Sequence, residues 1–244
     1  MRQSKRAAIV AEFLGTTFLV AAVVGSGIMG ERLADGNRAI ALLANSVATG
    51  AMLVVLITTL GPISGAHFNP IVTLAAYHSN RSIQSIQSIQ AVWSYLGAQL
   101  AGALTGTVTA NLMFGLSPLS FSQHARTGTA QLFSEFVATF GLLMVILVCS
   151  RFREAAIPYV VAAYITAAYW FTASTSFANP AVTIARAFTN TFAGIRPAHV
   201  PGFVIAQALG GASAVFVSRW MMKAPESATV TDRHTGAMSK KGSA

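Results

Sequence analysis

Residues 64–73 read SGAHFNPIVT, and residues 177–183 read FANPAVT. In each stretch an Asn-Pro pair opens an apolar segment, 69–78 or 179–189, that is too short to cross a bilayer. Proline is well tolerated at the first position of a helix, because its missing N–H would be unpaired there in any case. We therefore expect one short helix to begin at each proline.

The start of such a helix is chemically distinctive when it lies inside a membrane. Its first N–H groups have no partner within the helix, and its dipole places about half a positive charge there. A bilayer tolerates this backbone only where protein buries it or a watery cavity solvates it. Asn69 and Asn179 would each offer an amide N–H to a passing oxygen, while the two positive helix ends would disfavour cations. A single Asn-Pro pair is more often an ordinary turn, so the prediction depends on the duplication.

The composition is that of a membrane protein. Of 244 residues, 54% are hydrophobic and 9% are charged, and the mean hydropathy is +0.59. A soluble domain carries roughly 25% charged residues, so a soluble globule is excluded. Six apolar segments are candidate spans: about 8–30, 39–61, 91–114, 130–150, 156–174 and 200–222.

The chain is duplicated. AEF at 11–13 recurs as SEF at 134–136, NPIVT as NPAVT, and QLAGA at 99–103 as QALGG at 207–211. The two repeats cover about 8–114 and 130–222, and three spans in each make the second repeat inverted relative to the first. We expect a single channel domain over 1–222, followed by a polar tail, 223–244, that is typical of disorder.

Charge placement predicts the orientation. The net charge is +9, which in a soluble protein would suggest a nucleic-acid partner. With both termini on one side, 11 of the 16 Lys and Arg residues fall on that side and 5 on the other. The positive-inside rule then makes both termini cytoplasmic and removes the need for a nucleic-acid partner. The basic start resembles a signal peptide, but Glu12 interrupts its apolar region, so we expect a retained first span in the plasma (inner) membrane.

The paired motifs resemble the signature of the aquaporin and glycerol-facilitator family, the major intrinsic proteins. This resemblance implies an all-α membrane protein with six tilted helices and two re-entrant half-helices around a pore, assembled as a homotetramer in the lipid bilayer. It carries over the pore motifs Asn69, Pro70, Ile71, Asn179, Pro180 and Ala181, and the supporting positions Glu12, Glu135, Gln99 and Gln207. The expected function is passive passage of small uncharged solutes, with no cofactor.

Two departures from the family pattern bear on selectivity. Ile71 replaces alanine in the first motif, which predicts extra bulk where the half-helices touch, and Val182 replaces the usual arginine after the second motif. In the family that the motifs resemble, filter residues lie twenty residues before the first motif's asparagine, twelve and three before the second's, and directly after the second motif. The resemblance therefore implies a selectivity filter of Thr49, Ala167, Ser176 and Val182. That set contains no aromatic residue and no arginine, so a wide filter is expected. It resembles a bacterial subgroup associated with arsenic resistance, which suggests glycerol-like polyols, arsenous acid or methylated arsenicals as solutes beside water.

Arg186 has two interpretations. It lies four residues after Val182, one helical turn further along nearly the same face, so it is a candidate for the outer vestibule, where it would favour anions or oxyacids. Alternatively, it reaches the membrane interface from a helix C-terminus, where a cation complements the dipole.

Glu12 and Glu135 are the only acidic residues within the predicted spans, and His67 lies beside the first Asn-Pro pair. Equivalent positions in the two repeats favour a structural role for Glu12 and Glu135, as acceptors for irregular backbone, over proton coupling. His67 is expected to line the pore or pack, since no second ligand at a suitable spacing suggests a metal.

Other function classes have less support. The glycines at 25, 27 and 30 spell a dinucleotide motif, but they close an apolar span and follow no strand, and no catalytic motif is found, so an enzyme is not expected. A secondary active transporter with inverted repeats is the main alternative, although coupling-ion ligands other than the paired glutamates are missing. A closed, structural membrane protein with Ile71 as a plug is a weaker one.

Overall fold

The structure is a computed structural model that describes residues 4–79 and 88–222. All regular secondary structure in these residues is helical. Eight α-helices follow in chain order: α1 (Lys5–Leu33), α2 (Arg38–Ser64), α3 (Pro70–Ser79), α4 (Ile89–Met113), α5 (Thr129–Phe152), α6 (Ile157–Phe171), α7 (Pro180–Ala185) and α8 (Val200–Met221). The polar tail and the basic residues that it adds to the charge count lie outside the described residues.

Four helical segments are long and apolar enough to cross a membrane by length and composition: Lys5–Leu33, Arg38–Ser64, Thr129–Phe152 and Pro197–Met221. The long helix α4, of 25 residues, and the shorter α6, of 15, lie between them in sequence and complete the six predicted spans. The remaining helices, α3 and α7, have 10 and 6 residues and begin at the two prolines of the Asn-Pro pairs, as predicted. The expected all-α fold class is confirmed.

The two repeats pack in the same way. Helix α1 packs on α4 and α2, while its repeat counterpart α5 packs on α8 and α6. Glycines allow the close approach: a Cβ at Gly102 would lie 2.4 Å from the Phe13 carbonyl oxygen, and one at Gly210 would lie 2.3 Å from that of Phe136. Small residues at helix contacts are typical of membrane proteins, since packing there replaces a hydrophobic driving force. Both short helices contact α4 and α8, and they also contact each other.

Candidate functional site

The chain turns back inside the fold just before each short helix. Helix α2 ends at Ser64, and Gly65, whose φ of 87° is left-handed, follows it and reverses the chain. The following loop contains left-handed residues at Ala66 and Phe68, with φ of 52° and 49°. The equivalent residues of the second repeat, Ser176 and Ala178, have φ of 50° and 46°. Each such residue costs of order 1–3 kcal/mol, so the surrounding structure must hold both loops in place.

Glu12 holds the first loop. Its Oε1 accepts hydrogen bonds from the His67 N–H at 2.9 Å and the Ser64 hydroxyl at 2.7 Å. Its Oε2 accepts from the Phe68 N–H at 2.8 Å and from the Gln99 side-chain amide at 2.7 Å. The carboxylate is fully buried, and these four donors compensate its charge.

Glu135 holds the second loop in the same geometry. It is fully buried and accepts from the Phe177 N–H at 2.8 Å, the Ala178 N–H at 2.9 Å and the Gln207 amide at 2.6 Å. Gln207 also donates to the Thr183 hydroxyl of α7, at 2.8 Å. The first repeat has the same link, from Gln99 to Thr73 of α3, at 2.9 Å, so each glutamine joins a carboxylate to a half-helix.

The two asparagines bind each other's loops. Asn69 Nδ2 donates to the Ala178 carbonyl and Asn179 Nδ2 to the Phe68 carbonyl, each at 2.7 Å. The Oδ1 atoms accept from the first free N–H groups of the half-helices, including that of Ile71 at 2.9 Å. An asparagine amide has two N–H groups, so one remains on each residue. Both asparagines line a central cavity, and the remaining groups are available to a solute.

Both apolar and polar side chains line the central cavity. Side chains from α1, α2, α3, α5 and α6 form an apolar wall: Leu19, Val23, Leu53, Ile57, Val72, Leu142, Ile146, Val161 and Ile165. The polar groups come from three places. The two loops provide His67, Asn69, Ser176 and Asn179, helices α2 and α6 provide Thr49 and Tyr169, and the turn after α7 provides Arg186. A solute inside therefore meets both hydrocarbon and hydrogen-bonding groups.

The filter prediction needs one correction. Thr49, Ser176 and Val182 line the cavity, but Ala167 lies on the exposed face of α6. Residues four apart share a helix face, and Val161, Ile165 and Tyr169 form the cavity-lining row of α6. Tyr169 is thus the α6 residue beside Thr49, with 3.2 Å between its Oη and Thr49 Oγ1. An aromatic side chain is present where the sequence predicted none. The four-residue spacing of Val161, Ile165 and Tyr169 was the sequence signal that pointed to it.

Ile71 does not plug the cavity in this structure. It is buried, and a Cβ placed on Gly211 of α8 would lie 2.3 Å from Ile71 Cγ2. The extra bulk of the first motif is therefore directed toward α8, and the plug hypothesis is not supported by the geometry.

Arg186 lies inside the protein, in a 3-10 turn directly after α7, and is 2% exposed. Its Nε donates to the Ala193 carbonyl, and its Cζ lies 3.4 Å from the centre of the Phe177 ring. The side chain lines the cavity. The alternative in which it reaches the membrane interface is therefore wrong.

Arg126 was missed by the sequence analysis. It comes from the loop between α4 and α5, is 7% exposed, and also lies over Phe177, with its Cζ 5.0 Å from the ring centre. Burial lowers the pKa of its guanidinium to about 10, although the Glu135 carboxylate acts in the opposite direction. Burial, together with the charges of Arg126 and Arg186, also lowers the pKa of His124 in the same loop. This shift favours the neutral form of His124.

His67 lines the cavity with its imidazole, whose Nδ1 is 3.1 Å from Thr73 Oγ1. Within residues 4–79 and 88–222, no group of three or more His, Cys, Asp and Glu side chains is arranged to hold a metal ion.

Two half-helices that meet at cross-bonded asparagines, in an inverted repeat of membrane-spanning helices, define a transmembrane pore. The chain matches the sequence profile described as "Major intrinsic protein" over residues 1–157, and it belongs to this family of membrane channels.

Comparisons with individual proteins agree with this family. The chain is 57% identical to "Aquaglyceroporin AqpS" of Rhizobium meliloti (strain 1021) over 214 residues, which is 88% of this chain and 89% of that protein. It is 38% identical to "Nodulin-26" of Glycine max over 140 residues, or 57% of this chain and 49% of that one. The X-ray structure of the aquaglyceroporin from Plasmodium falciparum superposes with a TM-score of 0.68 at 19% identity, covering 90% of this chain and 98% of that chain. This structural likeness shows the shared fold.

Proposed function

We propose that the protein is a passive channel for small uncharged solutes: glycerol-like polyols, metalloid acids such as arsenous acid or methylated arsenicals, and water. The observation that carries the proposal is the mixed apolar and hydrogen-bonding lining of the cavity. A polyol presents both C–H and hydroxyl groups, and such a molecule fits a passage lined by both apolar and hydrogen-bonding side chains. The aquaglyceroporin name of the 57% identical relative is consistent with this solute class.

The metalloid part of the proposal depends on the filter. Val182 places a small apolar side chain where the family usually has an arginine, and Thr49 is smaller than the aromatic residues common at its position. Both leave room for a pyramidal trihydroxy acid. Tyr169 contributes an aromatic side chain to the lining, and its hydroxyl adds a hydrogen-bonding group beside Thr49.

Passive passage is favoured over coupled transport because the two buried glutamates are hydrogen-bonded within the fold and do not line the cavity. Glu12 accepts four hydrogen bonds and Glu135 three, all within the fold, and neither lines the cavity described here. A coupling site needs a carboxylate that a proton or ion can reach. Arg186 is the one permanently charged side chain among the described residues that line the cavity.

Stopped-flow light scattering on proteoliposomes tests the proposal. Glycerol and water permeabilities should both exceed those of protein-free liposomes, and arsenous acid uptake, measured as arsenic trapped in filtered vesicles, should rise with them. Fast water flux without glycerol or arsenous acid flux would overturn the solute assignment. Uptake of solute above its external concentration, abolished by an uncoupler, would establish the transporter instead.

The assembly and orientation are proposals as well. A homotetramer with one pore per subunit, in the plasma (inner) membrane and with both termini cytoplasmic, follows from the family resemblance and the charge distribution. Light scattering of the detergent-purified protein should give four subunits per particle. Reporter fusions to each terminus should be active on the cytoplasmic side alone, and a periplasmic terminus would contradict the predicted topology.

A further inference from the structure

The two arginines near Phe177 bind three consecutive carbonyl groups. Arg126 donates from Nη2 to the Phe192 carbonyl at 3.3 Å and from Nε to the Gly194 carbonyl at 2.9 Å. Arg186 Nε donates to the carbonyl between them, that of Ala193. Both guanidinium groups also lie over the ring of Phe177. The two side chains therefore share one support, formed by the 192–194 backbone and one aromatic ring.

The two guanidinium groups differ in how many of their nitrogens donate to an acceptor in the fold. All three nitrogens of Arg126 have acceptors, since its Nη1 donates to the Ser174 carbonyl at 3.1 Å. In the described part of the chain, the hydrogen bond of Arg186 is made by Nε alone, and this residue lines the cavity. The terminal nitrogens of Arg186 are available to a solute, whereas each nitrogen of Arg126 already donates to an acceptor in the fold.

The positive charge of the two guanidinium groups is offset by the Glu135 carboxylate from a distance and without a direct contact. Neither arginine forms an ion pair with a carboxylate within the described residues, and Ser176 contributes to the lining a buried hydroxyl that has no hydrogen-bond partner in the structure. A guanidinium that is shielded from water acts on a passing ion far more strongly than one at a surface.

We propose that Arg186 supplies the pore cation that Val182 lacks, and that Arg126 is its positioning residue, acting through Phe177 and the 192–194 backbone. Arg186 then donates hydrogen bonds to uncharged solutes and repels small cations, and Arg126 keeps its guanidinium at the cavity wall. This inference rests on the proposed channel function, because it concerns which solutes the same passage rejects.

Urea and guanidinium are suitable probes, because both are planar, have the same number of non-hydrogen atoms and differ mainly in charge. In proteoliposomes, the wild type should pass urea and exclude guanidinium. Arg186→Leu should raise the guanidinium-to-urea permeability ratio about tenfold, since the half-helix ends still disfavour cations. Arg186→Lys keeps a charge and should stay near the wild-type ratio. An unchanged ratio in Arg186→Leu would overturn the role of Arg186.

The positioning role is tested by combining variants. Arg126→Leu should raise the ratio in the same direction by about threefold, and it should have no further effect in the Arg186→Leu background. Arg126→Lys should recover part of the wild-type ratio. The control is Arg196→Leu, which removes an exposed arginine of the neighbouring loop and should leave the ratio unchanged. Retained water flux and a monodisperse elution profile show that each variant is folded.

The outcomes separate this inference from the proposed function. An equal effect of Arg126→Leu in both backgrounds, or no effect in either, would overturn the positioning role. If the wild type passes urea and Arg186→Leu keeps the wild-type guanidinium-to-urea permeability ratio, the channel function stands and the inference fails. If the wild type passes no uncharged solute at all, the proposed function itself fails.

Discussion

The side chain of Ile71 in α3 fills the space in front of Gly211 in α8. A Cβ at position 211 would lie 2.3 Å from Ile71 Cγ2, which is far inside van der Waals contact. The equivalent residues of the other repeat are Ala181 and Ala103, both buried. One repeat thus places a large side chain against glycine where the other has two alanines, so the unusual isoleucine is accommodated in the helix contact and leaves the pore free.

Gly211→Ala should therefore destabilise the protein, by about 1–3 kcal/mol, because the added methyl group overlaps Ile71. Adding Ile71→Ala should recover most of the loss, since the pair then matches the alanines of the other repeat. Thermal unfolding of detergent-purified protein measures both effects. Gly97→Ala is the control, because a Cβ there meets no atom within 4 Å. A double variant no more stable than Gly211→Ala would contradict the packing argument.

The α6 residue of the filter is tested by two substitutions. Tyr169→Phe removes a hydroxyl that is 3.2 Å from Thr49 Oγ1 and should change the glycerol-to-water permeability ratio up to about tenfold, the effect of one hydrogen bond. Ala167→Phe places a ring on the exposed face of α6 and should leave the ratio unchanged. Flux measurements on both variants check the assignment. If Ala167→Phe blocked glycerol flux, Ala167 would be the α6 residue of the filter, as predicted from the sequence.

The difference between Ala167 and Tyr169 shows where sequence reasoning reaches its limit. The half-helices, the inverted repeat and the paired glutamates could be predicted, because each has a local motif that occurs twice. The filter position was found by counting back from Asn179, and a count across a loop cannot tell which side of α6 faces inward. The four-residue spacing of Val161, Ile165 and Tyr169 does carry that information.

Arg126 is a different case. Its hydrogen-bond acceptors lie 48 to 68 residues away in the sequence, in two separate loops. No local pattern marks such a residue, because its role depends on how the loops are brought together by the fold. The burial of Arg186 was equally undetermined, since one helical turn beyond Val182 is compatible with both the cavity and the interface.

Val182→Arg should reduce glycerol permeability more than water permeability. Val182 lines the cavity, so a guanidinium there would fill space that a larger solute needs while adding a second cation near Arg186. We expect glycerol flux to fall about tenfold and water flux less than about threefold. Val182→Met adds volume without charge and separates the two effects. Equal losses for water and glycerol would count against Val182 as a determinant of solute size.

Glu12→Gln and Glu135→Gln should each destabilise the protein by about 3 kcal/mol, because an amide turns one accepting oxygen into an N–H group that faces the backbone donors. Unfolding measurements should show the loss in both variants, as the two carboxylates bind their loops alike. Glu31→Gln, at an exposed acid near the end of α1, should have no such effect.

Glycerol flux through the wild type should be the same with and without a pH gradient. If Glu12→Gln kept full stability and instead abolished a response to that gradient, the carboxylate would serve proton coupling.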